Sequence, residues 1–297
     1  MEVKVFSDKV KQIINSTSKL EKIASGFYFT EGPVYDSKSD TLYFTDFNDN
    51  TIHAWEQGSG TTLFRKNSGR AVGLSMTADG CIVSAETKTH AVTFAGAEKS
   101  EIIAGSYDGK MLNSPNDVVV RRDGALFFTD PYSVAMGDKR ELDFNGVFCV
   151  PIVEGHLSGK KILLIDDKME RPNGIAFSPD EKILYVNDTN KQLIVAYRMR
   201  DDNTASFIGN FAFMDEAYGS GNADGMKVDL EGNVYLTGPG GIWIFDKSGS
   251  PVGIMKLPEN AGNLCFGGKD NMTLFITATT SVYKISVNIP GIVPRRN

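Results

Sequence analysis

Residues Gly32–Asp46 read GPVYDSKSDTLYFTD: an apolar alternation runs into an acidic turn, and an apolar–aromatic–apolar–Thr stretch leads out of it. The phrase returns as GLSMTADGCIVSAE from Gly73, DVVVRRDGALFFTD from Asp117, GIAFSPDEKILYVND from Gly174, GMKVDLEGNVYLTG from Gly225 and NLCFGGKDNMTLFITA from Asn263. A self-similar unit every ~40–50 residues is the signature of radial or solenoid architecture. Period-2 alternation between tight turns makes each half of the phrase a strand. Working outward from the first copy, TIHAWEQ and TTLFRK supply two more short strands, so one repeat holds the four strands of a propeller blade. The expected fold is all-β: a six-bladed β-propeller with four-stranded blades. Blade six lacks an outer strand after Val282–Val287, while a strand-like stretch near Ile23–Phe29 is unassigned. That N-terminal stretch is expected to close the last blade and remove two exposed edges. A short helix is expected near Ser7–Ser16.

No linker, charge block or low-complexity tract divides the 297 residues, so one domain is expected over 1–297, with an N-terminal extension of about 1–20. The net charge of −6 argues against nucleic acid or an anionic membrane as partner. No apolar run approaches a membrane span, and the polar N-terminus does not resemble a secretory signal, so the cytoplasm is the expected compartment. Cys81, Cys149 and Cys265 sit singly in strand patterns and are expected as buried, reduced thiols.

The residues immediately ahead of the six phrases are Glu31, Val72, Asn116, Asn173, Asp224 and Gly262. In an up-and-down blade these positions lie at the start of the innermost strand and converge on the channel. Glu31, Asn116, Asn173 and Asp224 bring only oxygen donors, which selects a hard cation, Ca²⁺ with Mg²⁺ as the alternative, over zinc or copper. Four protein ligands underfill Ca²⁺ and leave places for water or substrate. A second set of acids ends the second strands: Asp46, Glu86, Asp130 and Asp188. Asp130 and Asp188 are expected to orient the amides of Asn116 and Asn173, with backbone N–H capping as the competing role. The long segments Pro131–Asn145 and Phe211–Ala223 reach the same face. Tyr132, Met136 and Tyr218 from these segments, with Glu86 and His90 of blade two, are the expected pocket walls. No Ser-His-Asp order or G-x-S-x-G elbow is present.

FTEGPVYD, SPNDVVVRRDGALFFTDP, RPNGIAFSPDEKILYVND and ADGMKVDLEGNVYLT together resemble the gluconolactonase, regucalcin and luciferin-regenerating-enzyme family, from about Phe29 to Val287. The resemblance implies a six-bladed propeller, one divalent cation, usually Ca²⁺, in the channel and hydrolysis of small lactones or related esters. It implies metal ligands at Glu31, Asn173 and Asp224, and a metal- or substrate-contacting Asn at Asn116. Two positions depart from family patterns. Ala85-Glu86-Thr87 replaces a Cys-Glu-His run, and Ser114 replaces an Arg that helps hold a sugar acid in the regucalcin branch. The expected mechanism has the cation polarise the lactone carbonyl, Asp224 act as general base with Glu31 as alternative, and Asn116 share the substrate oxygen. The competing readings are hydrolysis of phosphotriesters or fluorophosphates in the same cage, and a non-catalytic propeller with a cation plugging its channel.

Overall fold

The computed structural model describes residues 2–15, 17–133, 137, 140–159 and 161–292. Six antiparallel sheets form the blades of a propeller. Blade one is Thr30–Asp36, Thr41–Asp46, Thr51–Glu56 and Gly60–Lys66. The innermost strands of blades two to six begin at Ala71, Val118, Pro172, Met226 and Ala261. Each interface between neighbouring blades is filled by its own apolar cluster, such as Leu42, Phe44 and Trp55 of blade one against Cys265, Phe275 and Val282 of blade six. The period-2 alternation of the phrases supplies these faces, because alternate side chains on a strand point to opposite neighbours.

Closure follows the expected route with a shifted boundary. The strand that completes blade six is Glu21–Ser25, with Glu21 opposite Lys284 and Ser25 opposite Ser281. Glu259 anchors this seam: it accepts from Tyr283 Oη at 2.6 Å and Thr280 N at 2.9 Å, and pairs with Lys22 at 3.2 Å. Val3–Val5 adds a fifth strand to blade five, pairing with Gly253–Met255. Three residues in an alternating charged context carry too little pattern to announce this. The expected helix near Ser7–Ser16 is a single turn, Val10–Ile13, whose Val10 and Ile13 are buried against blades five and six. Cys149 and Cys265 are buried, but Cys81 is exposed in the turn ahead of its strand, contrary to expectation. No described helix is long and apolar enough to cross a membrane.

The phrase glycines have a steric reason. A Cβ on Gly32 would lie 1.8 Å from Val72 O, on Gly174 2.1 Å from Asp224 O, and on Gly225 2.1 Å from Asn263 Cγ. Innermost strands meet neck to neck at the axis, and only glycine permits that approach. The phrase threonines fasten the same contact. Thr45 Oγ1 donates to Val72 O at 3.1 Å, Thr129 Oγ1 to Asn173 O at 2.7 Å and Thr237 Oγ1 to Gly262 O at 3.0 Å. Each hydroxyl crosses to the leading residue of the next blade, so the repeat holds its own candidate ligands in place.

Candidate metal and substrate site

The leading residues begin their innermost strands on one face, and backbone bonds tie them around the axis. Gly73 N donates to Asn116 O at 2.7 Å, Gly174 N to Asp224 O at 3.1 Å and Gly225 N to Gly262 O at 2.8 Å. Glu31 and Asn173 are buried, while Asn116 and Asp224 are half-buried. Burial pushes the Glu31 carboxyl up to about 7, and the charge of Asp117 adds to the rise. Hydrogen bonds from Gly32 N and Asn263, with the Lys227 ammonium, oppose it. Asp224 is raised too, by burial first and then by Glu31 and Asp117, with Asn173 and Arg171 opposing. The two leading carboxylates therefore sense each other across the axis.

Asp117 is a channel residue that the sequence reading passed over. Where blades one, two, four and five have glycine after the leading residue, blade three has Asp117 and blade six has Asn263. Departure from the glycine column was the available signal: a side chain at this slot must project into the channel. Burial raises the Asp117 carboxyl, while Lys227, the N–H groups of Val118 and Ile175, and Asn263 lower it. Its Oδ1 accepts from Val118 N at 2.8 Å, and its Oδ2 is buried without a partner. Lys227 stands three residues after leading Asp224, one layer further along the channel, and its Nζ also donates to Met226 O at 2.9 Å.

These residues fit a cation. Asp117 raises both Glu31 and Asp224, Glu31 also raises Asp224, and Asn116 Oδ1 is a buried acceptor with no partner. A buried acceptor left unpaired is costly, and a bare cation is smaller than the water that cannot reach it. Among the described residues no group of three or more His, Cys, Asp or Glu is poised to hold a metal. The candidate set is instead two carboxylates with two carboxamides, an all-oxygen donor set suited to Ca²⁺.

The acids ending the second strands have a different task from the one expected. Asp130 accepts from Asn113 N and Ser114 N, both at 2.8 Å. Asp188 accepts from Glu170 N at 2.8 Å and Arg171 N at 3.2 Å, and Asp46 from Tyr28 N at 2.8 Å and Phe29 N at 3.0 Å. In all three blades the carboxylate clamps the N–H groups three and two residues ahead of the leading position. The Asn173 amide donates to Thr189 Oγ1 at 3.2 Å, so Asp188 holds the backbone entering Asn173 and leaves the amide to a hydroxyl. Backbone capping prevails because these strand-entry segments have no ladder partner for their N–H groups.

The expected pocket walls divide. Glu86 is fully buried, accepting from Thr93 Oγ1 at 2.8 Å, Thr89 Oγ1 at 2.7 Å and Arg65 Nη1 at 3.3 Å, so it joins blades one and two. His90 is half-buried, with Nδ1 against Asn113 O. Tyr218 packs its ring on Phe6 at 5.4 Å and Trp243 at 5.3 Å, over the outer half of blade five and away from the axis. Tyr132 is half-buried beneath the Arg140 guanidinium, 5.1 Å from its ring centre. Met136 lies outside the described residues. A cavity of about 160 Å³ opens at the opposite end of the channel, lined by Val34, Met76, Val119, Lys227 and Phe266 among others. None of the four leading oxygen donors lines it.

Comparison with known proteins agrees with this architecture. The gluconolactonase of Zymomonas mobilis is 31% identical over 96% of this chain and 86% of its own length. The structure of a Xanthomonas campestris gluconolactonase superposes with a TM-score of 0.87 at 26% identity, covering 97% of this chain and 95% of its own. An Agrobacterium tumefaciens regucalcin, described as a calcium-binding protein, shares the fold with a TM-score of 0.75 at 18% identity, over 93% of this chain and 96% of its own. The model of the SMP-30/gluconolactonase/LRE-like region matches residues 29–280, and the chain belongs to that family.

Proposed function

We propose that this protein is a lactonase whose channel holds one divalent cation, Ca²⁺ in preference to Mg²⁺, on Glu31, Asn116, Asn173 and Asp224. The observation that carries this reading is the convergence of carboxylates raised by burial and by neighbouring negative charge with an orphaned carboxamide oxygen at the axis. The gluconolactonase named among the relatives supports a small lactone as substrate, and the calcium-binding neighbour supports the choice of ion. When bound, the cation supplies Lewis-acid polarisation of the lactone carbonyl and charge stabilisation of the oxyanion.

The chain's own groups do the rest. Asp224 takes the proton of the attacking water; burial and the Glu31 charge raise its carboxyl, which makes it a stronger base than a free carboxylate. Glu31 is deeper and serves chiefly as a fixed negative charge. Asn116 would offer its unpartnered Oδ1 to the cation and its Nδ2 to the substrate oxygen. Thr129 and the Gly174 N–H fix the carbonyls of Asn173 and Asp224, so the donors are set before substrate arrives. The reading is tested with a panel of five- and six-membered lactones, with Ca²⁺ and with chelator. Chelator-sensitive ring opening is expected; a protein inert towards every member refutes it.

A further inference from the structure

The positions two residues ahead of the leading residues form another ring, above the donors at the mouth of the channel. They are Phe29, Arg70, Ser114, Arg171, Asn222 and Asn260. Most of these side chains are already engaged. Arg70 lies over the Phe47 ring at 5.5 Å. Asn222 Oδ1 accepts from Gln192 Nε2 at 3.3 Å, and Asn260 Oδ1 accepts from Ser220 Oγ at 2.8 Å. Ser114 is buried.

Arg171 differs. Its backbone is fixed: Asp188 grips its N–H at 3.2 Å and Thr189 N donates to its carbonyl at 3.0 Å. Its side chain is exposed, and neither an ion pair nor a hydrogen bond engages it among the described residues. The neighbouring Glu170 is taken by Lys191 at 3.3 Å. Three residues on, Gly174 N donates to Asp224 O at 3.1 Å, which sets this strand entry beside that of Asp224. A clamped base, an uncommitted head and a place beside the proposed catalytic carboxylate are the marks of a group held for substrate. A guanidinium offers five donors and no acceptor, so its partner must present oxygen acceptors away from the reacting carbonyl. Hydroxyl oxygens on the lactone ring meet that demand.

We infer that Arg171 is a specificity-determining residue that hydrogen-bonds the ring hydroxyls of a polyhydroxylated lactone. This rests on the lactonase reading above. The test compares kcat/KM for glucono-δ-lactone and for unsubstituted δ-valerolactone, in the calcium-loaded wild type and in Arg171→Met and Arg171→Lys. The ratio of the two values is expected to fall about 10- to 100-fold in Arg171→Met, the size of a lost charged hydrogen bond. The loss should fall on KM, and Arg171→Lys should recover part of it, because an ammonium donates but lacks the planar fork. A ratio within twofold of wild type overturns the inference, whether both rates hold or both decline together. No turnover of either lactone by the wild type overturns the lactonase reading and this inference with it.

Discussion

Replacing Glu31 with glutamine should strengthen the metal-free protein while destroying the proposed metal site. Burial and the charge of Asp117 raise the Glu31 carboxyl from 4.5 to about 7. Between those values the folded chain holds a proton that the unfolded chain has released, so stability falls as pH rises through the interval. At about 1.4 kcal/mol per unit, ionising Glu31 costs the metal-free fold about 3 kcal/mol by pH 8. Glutamine keeps an acceptor for Gly32 N, which lies 3.0 Å from Oε2, and removes the charge. In chelator at pH 8, Glu31→Gln should therefore melt roughly 6 °C above wild type. At pH 4.5 Glu31 is already protonated, and the two proteins should melt together. Added Ca²⁺ should invert the order at pH 8: wild type gains about 4.1 kcal/mol at a thousandfold excess over Kd, and the variant gains nothing. Scanning calorimetry across pH 4.5–8, with chelator and with Ca²⁺, reads all three comparisons. A variant that melts below wild type in chelator at pH 8 by the same margin as at pH 4.5 refutes the reasoning, because the carboxylate would then be stabilising.

Other substitutions probe the supporting framework. Arg65→Ala should cost about 3–5 kcal/mol in urea denaturation by stranding the fully buried Glu86; a loss under 1 kcal/mol contradicts the assignment of Glu86 to the blade junction. Gly174→Ala drives a Cβ to 2.1 Å from Asp224 O, so overpacking should cost at least about 1–3 kcal/mol and weaken Ca²⁺ binding measured by calorimetry; unchanged affinity contradicts the neck-to-neck packing. Asp188→Asn should lose about 1–3 kcal/mol in the same denaturation assay, because one amide oxygen cannot serve the Glu170 and Arg171 N–H groups as a carboxylate does; no loss contradicts the clamp.

The fold was legible because the phrase encodes both its strands and its interfaces. Glycine at 32, 174 and 225 and threonine at 45, 129 and 237 read as repeat decoration until their contacts show them joining adjacent blades at the axis. The leading positions were legible by register alone. Asp117 was not, since an acid beside Asn116 reads as a strand entry until the glycine column is compared blade by blade. The tasks of Asp130 and Asp188 were only half legible: register places them on the right face, but whether a carboxylate faces an amide or two backbone N–H groups depends on the path of the entering segment. Glu86 misled because its partner Arg65 lies on the outer strand of the preceding blade, a pairing with no local signal. Tyr218 misled because its aromatic partner Phe6 comes from the N-terminal extension.

Titrating chelator-stripped protein with Ca²⁺ while following both heat and glucono-δ-lactone opening tests the central claim most directly. One equivalent should bind, turnover should rise in step with occupancy, and Asp224→Asn should stay inactive even at saturating Ca²⁺, since added metal cannot replace a missing base. Turnover in chelator equal to turnover with Ca²⁺, or full activity of Asp224→Asn at saturating Ca²⁺, would contradict it.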